Sequence, residues 1–322
     1  MTTKPESIEQ VAVLGLGTMG VGIAQVFALG GCRVRAFDQS ASVRDSTIDR
    51  MRTEMEQTRD AGITPADAID PALSRVTICE TEEDAFEGTE FMTEAVVEKL
   101  EVKQELFARV EAFAAKECIL ASNTSTYPMT QIATDMKSPE RAVCTHWFNP
   151  GHIVPLVEVI PGEKTADEVT RVSLALLERV GKTAVHIRKE LPGFLINRIN
   201  VALLREVLDL LRQGVASAED IDRAVMSSTG FRLATMGPLR IFDFAGHDVN
   251  GPVMDGLLKE ISSTTEVPEI VTRLIESGDL GVKTGKGVYD YSHTTPERER
   301  EFRDRRFLKI KKLFHDTKPD TP

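Results

Sequence analysis

Two side chains in the middle of the chain have the chemistry to hold and pass a proton. His146 closes the strand-like run at 141–146, and Glu158 lies inside a second run, VPLVEVIP, among Val154, Leu156, Val157, Val159 and Ile160. Burying a lone carboxylate in so apolar a strand costs several kcal/mol unless it is paired. A histidine ending a neighbouring strand is the candidate partner. A carboxylate accepting from one ring nitrogen fixes the tautomer and raises the basicity of the other, which makes a general base. His146 alone would read as a satisfied core histidine; Glu158 gives it a chemical role. A third group, Asn197, lies early in the apolar stretch GFLINRINVALL. A buried amide needs hydrogen-bond partners. Helix packing would supply them, and so would a ligand reaching across a cleft between domains, the usual place for a site.

A second constellation opens the chain. In Val11–Gly22, VAVLGLGTMGVG, four apolar residues break into glycines at Gly15, Gly17 and Gly20, with Thr18 and Met19 leading into a helical pattern. That is strand, tight turn, helix. Gly15 permits the turn, Gly17 removes a side chain where a pyrophosphate approaches the backbone, and Gly20 lets helix and strand pack closely. The helix-start N–H groups face the phosphates without intrahelical partners. The next strand, Arg33–Phe37, ends in Asp38, where a carboxylate suits a ribose 2′-hydroxyl. Asp38 would repel a 2′-phosphate, Gln39 and Ser40 offer no cation, and Arg35 sits one strand step off. NAD is therefore expected, not NADP.

These groups need a framework to converge. Strands are read at Arg75–Cys79, Glu90–Val97, Cys118–Ala121, Arg141–His146, Pro155–Ile160 and Thr183–Ile187, and helices at Val43–Ala61, Lys99–Lys116, Pro128–Met136 and Ala166–Val180. A further helical stretch is read at Glu82–Phe86, and 62–74 is read as a polar connection. Strands alternating with helices predict an α/β fold with a doubly wound, mostly parallel sheet, whose ligands bind beyond the carboxyl ends of the strands. After Ile187 only helices are read: Gly193–Gln213, Ser217–Ser228, Pro252–Ser263 and Pro268–Ser277. The expected division is 1–190, an all-helical 191–295, and a tail, 296–322. The helix 193–213 is apolar nearly all round, so a partner subunit is expected to cover it. The tail interleaves Phe302, Phe307, Ile310 and Phe314 with basic residues and reads as an amphipathic helix docking that apolar stripe on the body.

Composition excludes much else. A net charge of −11 disfavours nucleic acid and anionic membranes as partners. No apolar run approaches the ~20 residues that span a bilayer, and the N-terminal MTTKPESIEQ lacks a signal-peptide core. Cys32, Cys79, Cys118 and Cys144 show no paired spacing and read as reduced core residues, so a cytoplasmic location is expected. The histidines form no metal motif, and no metal is expected.

Four motifs, S-N-T-S at 122–125, H-x-F-N-P at 146–150, P-L-V-E-V-I at 155–160 and P-G-F-x-x-N-R at 192–198, in this order and spacing, resemble the L-3-hydroxyacyl-CoA dehydrogenase family. The resemblance runs from about Gln10 to Tyr291. It implies a Rossmann-type N-terminal domain, an all-helical C-terminal domain usually forming a homodimer, and NAD-dependent oxidation of a 3-hydroxyl, commonly in fatty acid metabolism. It makes His146 the general base, Glu158 its orienting partner, and Ser125 and Asn197 donors to the substrate oxygen. It places Glu98, Lys103, Asn123 and Lys283 beside the cofactor and Asn149 beside the substrate. The chain departs from acyl-CoA members after Asp38: residues 43–66 carry Arg44, Arg50, Arg52 and Arg59 but no lysine that could meet a CoA phosphate. The segment GFRLATMGPL at 230–239 resembles the branch that oxidises free hydroxy acids, the L-gulonate 3-dehydrogenase (λ-crystallin) and carnitine dehydrogenase group. There Arg232 would clamp a carboxylate. A short-chain 3-hydroxyacyl-CoA is the leading expectation and a free 3-hydroxy acid the alternative. A non-catalytic protein on the same fold is a minor one.

Overall fold

The structure, a computed structural model, describes residues 8–316. It forms two compact units: one runs to Leu195 and takes in the residues from Glu301, and the other is Ile196–Arg300. Of the expected tail, the residues up to Arg300 cluster with the second unit and those described from Glu301 onward with the first.

The first unit holds β1 (Gln10–Leu14), α1 (Thr18–Leu29), β2 (Arg33–Phe37), α2 (Ala41–Asp60), α3 (Ile69–Ser74), β3 (Val76–Ile78), β4 (Phe91–Glu94) and α4 (Leu100–Val110). It continues with β5 (Ile119–Ser122), α5 (Met129–Ile132), β6 (Ala142–Trp147), β7 (Leu156–Pro161), α6 (Asp167–Arg179) and β8 (Thr183–His186). The sheet order is β3-β2-β1-β4-β5-β6-β7-β8. Neighbours pair parallel except β6 and β7, which are antiparallel. Alternation divides each strand between two cores. Val11 and Val13 join the side packed by α1, α2, α3 and α6, whereas Ala12 and Leu14 join the side packed by α4 and α5. The sheet is covered on both faces, which is why its strands read as unbroken apolar runs.

One segment read as a connection proves helical: α3 carries Pro71 in its first turn, where the missing N–H costs no helical bond. The stretch at 82–86 is only a short 3₁₀ turn at Asp84–Phe86. All four cysteines are buried and free.

The second unit holds α7 (Ile196–Arg212), α8 (Ala218–Val225), α9 (Phe231–Leu233), α10 (Pro238–Ala245), α11 (His247–Leu257) and α12 (Glu269–Glu276), followed by α13 (Pro296–Asp316), which runs on into the first unit. Ser217 caps α8, its hydroxyl accepting from the Asp220 N–H at 3.1 Å. The helix expected to start at Pro252 begins instead at His247 and contains that proline, and α10 was not foreseen. The apolar residues of α7 are not buried by this chain: Ile199, Val201, Leu203 and Leu204 are 51%, 65%, 45% and 52% exposed.

The tail also corrects its reading. Leu308, not the aromatic stripe, is buried, and the Lys311 ammonium donates to the His152 carbonyl at 2.6 Å. Phe302, Phe307, Ile310 and Phe314 remain exposed. Beneath this helix Glu54 of α2 lies 3.2 Å from His152 Nδ1. Burial, opposed by Arg50 and reinforced by Asp304, pushes the Glu54 carboxyl from 4.5 up to about 7. Burial and the charges of Lys311, Lys182 and Arg303 push His152 from 6.5 down to about 3.

Between pH 4.5 and 7 the folded chain keeps a proton on Glu54 that the unfolded chain releases, so this contribution to stability falls as pH rises. His152 acts in the opposite sense between pH 3 and 6.5. Glu54→Gln removes only the first. Its stability relative to the parent should rise by about 3 kcal/mol across the Glu54 window, measured by urea unfolding at each pH. A constant difference would show that Glu54 titrates normally.

Candidate active site

The glycine turn joins β1 to α1. Gly15 has φ +85, and a side chain there would strike the Ala95 carbonyl at 2.8 Å. A Cβ on Gly20 would fall 1.7 Å from the Gly15 carbonyl oxygen. Gly17 differs, since a Cβ there would meet nothing within 4 Å. The fold itself does not require glycine at 17; a ligand drawn along the exposed backbone does. Thr18 and Met19 open α1 beside it. Asp38, at the end of β2, accepts the Leu16 N–H at 2.7 Å on one oxygen and the Ser40 N–H at 2.9 Å on the other. It is thus tied to the turn and oriented before any ribose arrives. These residues fit a dinucleotide. Arg50 of α2 braces the same turn, donating to the carbonyls of Leu16 and Gly17 at 2.9 and 3.2 Å, a role its sequence position did not reveal.

Across the sheet, His146 and Glu158 face each other in the antiparallel β6–β7 register, and His146 Nδ1 lies 2.8 Å from Glu158 Oε2. The pair is buried, with 5% and 0% side-chain exposure. The ring also lies near two aromatics, 4.3 Å from Phe148 and 5.5 Å from Phe194 between centroids. Phe194 holds φ 50, a strained value for a non-glycine residue. Asn149 is exposed and precedes the cis bond to Pro150.

The turn after β5 carries Asn123, Thr124 and Ser125. The Asn123 side-chain oxygen accepts the Trp147 N–H at 2.8 Å and so ties the end of β5 to β6. Glu98 Oε1 accepts from Thr124 Oγ1 at 2.7 Å, the Ser125 N–H at 2.9 Å and the Thr126 N–H at 3.1 Å. Those hydrogen bonds and Lys103 outweigh burial and hold the Glu98 carboxyl below its ordinary value. Lys103 is entirely buried, and its ammonium contacts Glu94 at 2.8 Å and Glu98 at 3.2 Å. Burial alone would lower its pKa, but Glu94 and Glu98 raise it. Lys103, expected beside the cofactor, is thus paired with both Glu94 and Glu98. Glu94 was not singled out from the sequence, although an acid in the strand run FMTE carried the same signal as Glu158.

Three candidates belong to the second unit. Asn197 is half-buried in the first turn of α7. Arg232 is exposed in α9, its guanidinium 3.4 Å from Ser228 Oγ. Lys283 is exposed in a short turn at Val282–Thr284.

Residues 10–191 match the family model for the 3-hydroxyacyl-CoA dehydrogenase NAD-binding domain, and 193–291 match that for its C-terminal domain. The chain is 34% identical over 308 residues to a 5-formyl-3-hydroxy-2-methylpyridine 4-carboxylate 5-dehydrogenase of Mesorhizobium japonicum, covering 94% of this chain and 96% of that one. It is 33% identical to a probable 3-hydroxybutyryl-CoA dehydrogenase of Bacillus subtilis, covering 89% and 99%. It is 36% identical to an L-carnitine dehydrogenase of Streptomyces coelicolor, covering 76% of each chain. A crystal structure of the formyl-hydroxymethylpyridine carboxylate dehydrogenase, described as an NAD-dependent dismutase, superposes with a TM-score of 0.89 at 31% identity, covering 96% and 99%. With its glycine turn, oriented Asp38 and two matched domains, this chain belongs to the 3-hydroxyacyl-CoA dehydrogenase family and is an NAD-dependent oxidoreductase.

Proposed function

We propose that the chain oxidises the 3-hydroxyl of a short-chain L-3-hydroxyacyl-CoA, such as 3-hydroxybutyryl-CoA, to the ketone, with His146 as general base. The observation that carries this reading is the buried His146–Glu158 contact of 2.8 Å. NAD supplies the hydride acceptor. Because a carboxylate can only accept, Glu158 takes the Nδ1 proton's hydrogen bond and leaves Nε2 as the basic nitrogen. As the hydroxyl proton moves to Nε2, the imidazolium gains Glu158 as its counter-charge. Ser125, on a turn whose backbone Glu98 holds, supplies a hydroxyl to steady charge on the substrate oxygen. Aromatic walls from Phe148 and Phe194 keep water from the ring, which strengthens these interactions.

A second reading, oxidation of a free 3-hydroxy acid, rests on α2. Its arginines are engaged internally: Arg44 with the Asp38 carbonyl and Glu80, Arg50 with the glycine turn, Arg52 with Asp70, and Arg59 with Asp60. No lysine stands between Lys4 and Lys99 to meet a CoA phosphate. A small carboxylate needs no such patch, and the exposed Arg232 would suit it. NADH production from 3-hydroxybutyryl-CoA, set against free 3-hydroxybutyrate, carnitine and gulonate, separates the two readings.

The exposed apolar residues of α7 also support a homodimer through the second unit. A monomeric mass by light scattering at micromolar concentration would refute it.

His146→Ala and Glu158→Gln should each lower kcat by about 100- to 10 000-fold while NADH affinity changes little. Retained turnover in either variant would remove the dyad from the mechanism. Gly17→Ala should weaken NADH binding about tenfold or more at unchanged thermal stability, whereas Gly20→Ala should lose both. Equal effects of the two would mean that Gly17 serves the fold and not the ligand.

A further inference from the structure

Glu94 ends β4 at the edge of the sheet that carries the site. It pairs with Leu14 of β1 on one side and Ser122 of β5 on the other. Its exposure is 0%, so its charge has to be met by donors within the protein. Both oxygens take the Lys103 ammonium, at 2.8 and 3.0 Å. Oε2 also accepts the Val96 N–H at 3.0 Å, and Oε1 accepts the Ser122 hydroxyl. Each bond leads somewhere different. Val96 follows Ala95, whose carbonyl lies against Gly15 of the cofactor turn. Ser122 Oγ accepts the Thr124 N–H at 3.2 Å and so starts the turn that presents Ser125. Lys103 passes the charge on to Glu98, which holds Thr124, Ser125 and Thr126.

We propose that Glu94 is a positioning residue for the reaction: it locks the Ser122–Thr126 turn directly through Ser122 and indirectly through Lys103 and Glu98. Without it the buried ammonium has Glu98 as its remaining carboxylate and draws Glu98 away from the turn. Ser125 then loses the acceptor that orients its backbone. Glutamine cannot substitute, because both carboxylate oxygens face Lys103 and an amide must turn its NH₂ toward that donor. The role rests on the proposed reaction for its kinetic reading and on geometry alone for its structural one.

The test uses the full-length enzyme and Glu94→Gln, with Glu94→Asp measured alongside. Hydrogen exchange of the peptide spanning residues 122–127 is followed by mass spectrometry, and kcat, KM and NADH affinity are measured with the best substrate of the panel above. The expected result is faster exchange in that peptide, with the strands β1 and β6 unchanged. A higher KM for the hydroxy substrate and a kcat lower by about 10- to 100-fold should accompany it, at nearly unchanged NADH affinity. A residue that only stabilised the fold would lower kcat by the inactive fraction at constant KM. That outcome, or unchanged exchange at 122–127, overturns the proposal. If Glu94→Gln does not fold, Glu94→Asp, one methylene too short to bridge Lys103 and Ser122 together, is judged by the same two criteria. If the parent enzyme oxidises none of the substrates, the reaction as read is wrong, and exchange alone decides whether Glu94 holds the turn.

Discussion

A carboxylate buried inside a sheet has to be compensated where it stands, and in this chain that happens twice on the same face. Glu158 meets His146, and Glu94 meets Lys103. Strand alternation points all of these strand residues toward the side packed by α4 and α5. Removing one member of such a pair leaves an isolated buried charge, a loss of about 3–5 kcal/mol. The two pairs differ in kind. An ammonium held between carboxylates keeps one charge state and suits a fixed scaffold. An imidazole can take up and release a proton and suits a step that moves one.

Direction of travel in the sheet decides how the second pair is made. Had β7 run parallel to β6, Glu158 would have been displaced along the strand relative to the end that carries His146. Because it runs antiparallel, the early part of β7 lies at the edge where the parallel strands end, and the two residues fall directly opposite each other. The Asn123–Trp147 contact then fixes the neighbouring strand ends, and Arg50 fixes the glycine turn from the other side of the sheet. The site is therefore a set of strand ends held at fixed separations, with loops added only where a ligand has to reach the backbone.

The second unit follows another logic. Its helices carry more apolar surface than one chain covers, from Ile199 and Val201 in α7 to Phe231 in α9, Leu239 and Phe244 in α10 and Val253 in α11. The tail helix buries Leu308, and its Lys311 donates to the His152 carbonyl, while its aromatic stripe stays exposed.

Local rules made the parallel framework, the glycine turn and the helical C-terminal half legible in the sequence, because period-two and helical apolar patterns and glycine sterics act within a few residues. The anomaly of Glu158 was legible too, since its burial cost follows from its neighbours in the chain. The starts of α3 and α11 were not, because Pro71 also suits a connection and Pro252 also suits a first turn. Which acid meets which cation depended on strand order and register, and so on contacts between distant segments. That is why Glu94 and its tie to Lys103 stayed hidden. Only the folded sheet, by bringing residues 94, 103 and 122 together, could satisfy a charge that no neighbour in sequence was able to meet.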